Sequence, residues 1–327
     1  MQVAAAAAIP ALLYYAAMLA AIHFSALRDE VTDSADTATG DVRSRLHLLL
    51  PLVGIVALLA LGRSPMRAAF WGVMLAFVTA MAVPATRMSP SALRRTLVAG
   101  AGGAVQVAAA CAAAGIVVGI ATLTGIGLRL SSLIVTLSGG ELFIGLIWTA
   151  LAGVVLGMGL PTTAAYVVLA ALGAPALVEL GAAPLAAHLF IFYFGCISNV
   201  TPPVSLAAYA AAGIAEASAF RTAVAAVSFA ATGFAVPFAF IYSPGLLLQA
   251  PPAQIATTLV AALLGVLALA AATIGHHNRQ VSLPERVVLV VAAAALLSPL
   301  AVARLAGGAL ILVSLTWSRI RAPRSSP

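Results

Sequence analysis

The chain has 327 residues, 63% of them hydrophobic and 8% charged, which is the composition of an integral membrane protein. Its formal net charge of +7 comes wholly from Arg, because the sequence contains no Lys. These Arg residues stand singly or in pairs between apolar runs, with no basic stripe and no interleaved aromatics, so they read as loop charge and argue against nucleic-acid binding.

In chain order, the first apolar run covers residues 3–27. It lacks a basic start and is too long for the core of a signal peptide, so it predicts a membrane helix. A polar loop at residues 28–45 follows and holds five of the nine acidic residues. Residues 46–62 and 66–85 predict a tight helical pair joined by Arg63, Ser64 and Pro65. Arg87, Arg94 and Arg95 mark the next loop. Residues 98–127 are rich in Ala and Gly. Small residues let helix backbones approach closely, which predicts an interior helix with a bend near residues 122–125.

Two charge-free stretches come next, bounded by Glu141, Glu179 and Glu216. A spanning helix needs roughly 20 apolar residues, so each stretch is too long for one span and too short for two. Gly157, Met158, Gly159, Leu160, Pro161, Thr162 and Thr163 stand at the centre of the first. Ser198, Asn199, Val200, Thr201, Pro202 and Pro203 stand at the centre of the second. Irregular backbone at membrane depth survives only where protein buries it or where it lines a cavity. Paired interruptions of this kind point to a transporter's binding site, and they predict a re-entrant hairpin followed by a broken helix. Ordinary kinks in a packed bundle are the plainer alternative. The three Glu residues read as segment ends.

Spans are then expected at residues 219–242, 255–274 and 287–303, with a weaker run at 307–317 and a basic tail at 319–327. The whole predicts an all-α polytopic bundle of nine to eleven helical segments. The Arg counts of the first three loops (three, two and three) do not fix an orientation. Cys111 and Cys196 lie far apart in apolar runs and read as small hydrophobes. His188 is either a functional group at depth or a neutral imidazole hydrogen-bonded between helices. His276, His277 and Asn278 fall at a helix end and read as interfacial.

The chemistry of the two breaks can be argued from backbone alone. Thr201, Pro202 and Pro203 read as a helix start, with Thr201 as the cap and Pro tolerated in the first turn. Asn199 tolerates the left-handed conformation that ends a helix. One half-helix would therefore end near Ile197 and another begin near Pro202. In the first break Gly157 and Gly159 permit chain reversal, and Pro161 suits the first helical position. C-terminal helix ends, with Ser, Thr and Asn oxygens, suit a hard cation such as Na⁺. N-terminal ends suit a carboxylate. Together they would support cation-coupled transport of an organic anion.

The run from Val105 through Cys111 to Gly119, the segment Thr122 to Gly125, and the two clusters at 157–166 and 198–204 resemble the large, DctM-type membrane subunit of tripartite ATP-independent periplasmic (TRAP) transporters. They are most similar to the fused permeases that work with TAXI-type solute receptors, and the likeness runs from about residue 9 to about residue 248. The resemblance implies an elevator-type Na⁺/organic-acid symporter in the bacterial inner membrane, fed by a periplasmic solute-binding protein. It implies that residues 157–163 are the tip of the second hairpin and residues 198–203 the second broken helix. Gly157, Met158, Gly159, Pro161, Thr162, Thr163, Ser198, Asn199, Thr201, Pro202 and Pro203 would then bind Na⁺ and substrate, with no cofactor beyond the coupling ion. No second copy of either cluster is found, so the chain resembles the C-terminal half of such a permease. It is expected to need a first-half or small membrane subunit. Residues 1–250 would form the permease domain, and residues 251–327 additional C-terminal helices with a short basic tail. The competing readings are a membrane scaffold that does not transport, and an intramembrane enzyme. The enzyme is disfavoured because no Asp follows Asp41, His188 stands alone, and the first break has Met158 where a nucleophile motif would need Ser.

Overall fold

The computed structural model describes residues 2–30, 42–277 and 279–321. Among these residues there are helices and turns and no strand, only an isolated bridge between His276 and Gln280. The expected all-α architecture is observed. Among the described residues five helical segments are long and apolar enough to cross a membrane: Gln2–Arg28, Pro65–Ala82, Thr162–Glu179, Ala219–Tyr242 and Pro252–Ile274. The chain divides into two units, one of Met1–Gln2 with Thr32–Ala108, the other of Val3–Val31 with Ala109–Pro327.

In the first unit, α2 (Leu50–Ala60) and α3 (Pro65–Ala82) form the expected helical pair. Gly62 takes a left-handed φ of 75° at the turn, and the Ser64 hydroxyl accepts from the Arg67 amide at 3.4 Å. The pair closes on glycine. A Cβ at Gly54 would stand 2.8 Å from Leu75 Cδ2. Their outer faces expose Leu52, Val53, Val56, Phe70 and Val73, as lipid-facing helices do.

Helix α4 (Pro90–Thr124) runs through residues of both units. Among its described side chains in the second unit, Ala121 is buried and Cys111 and Val118 pack against Ala164 and Val168 of α7 (Thr162–Glu179), while many others are exposed. The expected bend is a full break. Gly125 takes a left-handed φ of 68°, and a separate α5 (Ile126–Leu137) begins after it.

The core of the second unit is built by α1 (Gln2–Arg28), α6 (Leu142–Gly157), α7 (Thr162–Glu179), α8 (Pro184–Ile197), α11 (Ala235–Tyr242) and α12 (Pro252–Ile274). Phe190, Phe194 and Phe238 pack with ring centroids 4.8 to 5.9 Å apart, and Phe190 and Phe240 are among the largest fully buried side chains. A bundle in lipid gains little from hiding apolar surface, so close packing and interhelical hydrogen bonds must hold it. One such bond runs from the Tyr193 hydroxyl to the Gly233 carbonyl, at 3.2 Å.

The remaining helices are α9 (Leu206–Ile214), α10 (Ala219–Ala230), α13 (Leu283–Leu297) and α14 (Ala301–Arg321). Fourteen α-helices are therefore present among the described residues, more than the nine to eleven expected, because each broken segment supplies two pieces, α5 stands alone, and the tighter turn Ala231–Phe234 divides the span at 219–242 into α10 and α11. The boundary expected between 303 and 307 is instead at Ser298 and Pro299. Arg304 lies inside α14 and turns back to cap the Ser298 carbonyl at 2.8 Å. Glu141 precedes α6, Glu179 ends α7 and Glu216 follows α9, all at segment ends. Of the polar loop at 28–45, residues 31–41 lie outside the described residues, as do Asn278 and residues 322–327 of the basic tail.

Candidate functional site

The first break is a tight reversal. Helix α6 stops at Gly157, Met158 is extended, and Gly159 takes a φ of 77°, a conformation that costs glycine nothing and other residues about 1 kcal/mol or more. The Leu160 amide donates to the Gly157 carbonyl at 3.3 Å. Pro161 sits one position outside α7, and its carbonyl accepts from Ala165 at 3.0 Å. Thr162 and Thr163 open α7 and are exposed, while Met158 and Pro161 are half-buried.

The second break is built differently from its expectation. Helix α8 ends at Ile197 as expected, and Ser198–Val200 add one tighter turn. Thr201 does not cap the next helix. Its amide donates to the Ser198 carbonyl at 3.2 Å and its hydroxyl to the Ile197 carbonyl at 2.9 Å, so it finishes the helix behind it. Pro202 and Pro203, joined by a cis peptide, lie in the irregular segment. The helix restarts only at Leu206, after Ser205 at φ 34°. Asn199, Thr201 and Pro202 are half-buried, and Pro203 is exposed and accepts from the Tyr209 hydroxyl at 2.5 Å.

The two breaks lie side by side. A Cβ at Gly157 would stand 2.7 Å from the Ser198 hydroxyl oxygen and 3.0 Å from its Cβ. One at Gly159 would stand 3.7 Å from Val204 Cγ1, and one at Gly153 3.1 Å from Phe194 Cβ. Only glycine lets α6 and α8 approach this closely. Ser198 is fully buried, and its hydroxyl donates to the Gly195 carbonyl at 2.7 Å. The start of α7 joins the same place, since a Cβ at Gly195 would be 3.7 Å from that of Ala165.

Electrostatics follow from which ends meet. Gly157 and Ser198 stand at the C-terminal ends of α6 and α8, where the helix dipole is equivalent to about half a negative charge. The Gly157, Gly195, Ile197 and Ser198 carbonyls there each accept one hydrogen bond and keep a second lone pair. Two like ends in contact favour a cation between or beside them. The first amides of α7 lack intrahelical acceptors and supply the opposite polarity close by.

Ser205 was not among the expected site residues. It is fully buried, and its hydroxyl has no hydrogen-bond partner among the described residues. An unmet buried hydroxyl costs about 1–3 kcal/mol. Nothing in the sequence distinguishes this Ser from any other, because its burial depends on how the segment after Pro203 folds back. His188 is half-buried on α8, and its Nδ1 lies 3.1 Å from the Tyr166 hydroxyl on α7, an interhelical hydrogen bond. Cys111 and Cys196 are half-buried free thiols.

The family model described as the tripartite ATP-independent periplasmic transporter DctM component matches residues 1–255 of the chain, a span that contains both breaks. Comparison with curated proteins and with solved structures gives no match.

Proposed function

We propose, on the premise that this chain belongs to the DctM family of tripartite ATP-independent periplasmic transporter components, that its two breaks form one Na⁺ site and part of an organic-anion cavity. The family makes it a membrane transporter component that works with a periplasmic binding protein and a small membrane subunit. Sodium coupling, the organic-acid substrate, a TAXI-type receptor and the bacterial inner membrane are our reading beyond that.

The observation that carries it is the contact of Gly157 with Ser198. It sets the C-terminal ends of α6 and α8 together, and the Asn199, Thr201 and Ser205 side chains belong to the segment that follows Ser198, the Ser205 hydroxyl being buried without a partner among the described residues. Oxygen ligands of this kind suit a hard cation. Binding Na⁺ would neutralise the facing dipoles and give the α7 amides at Thr162 and Thr163 a cationic neighbour. A carboxylate placed on those amides would then be held by both. This is how bound cation and bound anion would support each other's affinity.

In this reading α6 and α7 form a re-entrant hairpin. The 16 residues of α6 fall short of a full span, whereas the 18 residues of α7 could cross by length alone. Side-specific labelling of the hairpin ends decides between them. The functional test is uptake of a labelled organic acid by proteoliposomes carrying the chain, its membrane partner and its receptor. Thr162→Ala, Asn199→Ala and Thr201→Ala should raise the Na⁺ concentration for half-maximal uptake. Unchanged Na⁺ dependence in all three would sink the assignment.

A further inference from the structure

Beyond residue 255, where the family match ends, α12 and α14 enclose an apolar groove of about 850 Å³ lined by Val260, Leu264, Leu305 and Leu312, with Arg304 at one end. The groove exists because two adjacent glycines of α14 do different things. Gly307 turns toward α13, where a Cβ would stand 2.8 Å from the Ala292 carbonyl. Gly308 lines the groove, and a Cβ there would meet nothing within 4 Å.

Arg304 makes the groove more than an apolar face. Its guanidinium donates to the Ser298 carbonyl at 2.8 Å, the Thr258 hydroxyl at 2.9 Å and the Ser243 hydroxyl at 3.2 Å. All three acceptors are neutral, and among the described residues Arg304 pairs with no carboxylate. By contrast, Arg279 of the segment between α12 and α13 is charge-matched by Glu285 at 2.8 Å. A half-buried Arg anchored by neutral groups keeps its net charge and further N–H groups to offer. It lies one turn inside the start of α14, and Leu312 is about 12 Å further along the axis.

We propose that α12 and α14 bind an anionic phospholipid, its phosphate on Arg304 and one acyl chain along Val260, Leu264, Leu305 and Leu312. A basic pocket between membrane helices with an apolar groove running toward the bilayer centre fits both ends of such a molecule. The site is independent of the Na⁺ and anion reading and requires only that these helices lie in a membrane.

The test is native mass spectrometry of the purified, delipidated full chain titrated with dioleoyl phosphatidylglycerol or dioleoyl phosphatidylcholine. The wild-type chain should prefer the anionic lipid by about fivefold, the share of one interfacial Arg. Arg304→Gln should erase that preference, and Arg304→Lys should keep most of it. Gly308→Leu, which fills open space and leaves the helix contacts intact, should reduce occupancy by both lipids. A preference that survives Arg304→Gln, or lipid occupancy undiminished by Gly308→Leu, would overturn the site. Displacement of the lipid by inorganic phosphate alone would also overturn it, since the groove would then contribute nothing.

Discussion

Gly157 and Ser198 meet at the ends of two helices, so closely that a Cβ at residue 157 would lie 2.7 Å from the Ser198 hydroxyl oxygen. Residues 41 positions apart are thereby locked into one irregular region. The geometry of the site depends on that approach, which can be tested by itself.

Gly157→Ala should destabilise the chain by about 1–3 kcal/mol, the usual cost of overpacking a tight contact. Ser198→Gly removes both atoms that the new methyl would strike. The double variant should therefore recover much of the loss, a favourable coupling read from thermal unfolding of the purified chain in detergent. Strictly additive losses would mean that the two residues do not touch.

The hydrogen bond between Tyr166 and His188 is structural in this account. Tyr166→Phe should cost about 0.5–1.5 kcal/mol of stability without altering the Na⁺ dependence of uptake. A changed Na⁺ requirement, measured in the reconstituted system, would return His188 to the functional site.

Glu285 is nearly buried and is held by Arg279 at 2.8 and 2.9 Å and by the Ser314 hydroxyl at 3.2 Å. Arg279→Ala strands that carboxylate. The loss should fall below the roughly 3–5 kcal/mol of a fully buried pair, because Arg279 is 31% exposed. Adding Glu285→Gln should restore part of it. Thermal midpoints of the single and double variants decide the matter, and equal losses in both would contradict it.

Much of this was legible in the sequence, and the failures have physical causes. Glu141, Glu179 and Glu216 mark segment ends because a carboxylate cannot be left in hydrocarbon, and Gly159 with Pro161 announces a reversal by backbone chemistry alone. The restart of the second broken helix was misplaced from Leu206 to Pro202. Thr201 can bond forward as a cap or backward to Ile197, and its sequence does not say which. Arg304 looked like a loop residue because a charge inside an apolar helix is costly. Its three neutral partners come from positions up to 61 residues away, which no local pattern reveals.

The re-entrant hairpin gives a topological prediction. In a variant with Cys111 and Cys196 replaced, cysteines placed next to Glu141 and next to Glu179 should react with an impermeant reagent from the same membrane side. Cysteines near Pro184 and near Ala215 should react from opposite sides. Labelling of the Glu141 and Glu179 positions from opposite faces would show that α6 and α7 together cross the bilayer.

Gly159, Thr162, Thr163 and Pro203 are exposed on this chain, and irregular backbone facing lipid would cost several kcal/mol per unmet group. A membrane partner is therefore expected to cover them. Proteoliposomes carrying the chain and a receptor should show no Na⁺-driven uptake, and adding the partner chain should establish it. Saturable uptake by the chain without that partner would refute the need for cover.

The central claim is that the two breaks hold Na⁺ themselves, and this requires no knowledge of the substrate. A ligand that binds only the folded state raises stability by about 2.7 kcal/mol at a hundred times its Kd. The purified chain should therefore unfold at a higher temperature in NaCl than in choline chloride of equal ionic strength. Asn199→Ala and Thr201→Ala should abolish that difference, with Thr201→Ala also lowering the midpoint in both salts by the loss of its hydrogen bond to the Ile197 carbonyl. No Na⁺-dependent shift in the wild-type chain, or a shift of undiminished size in both variants, would contradict the account.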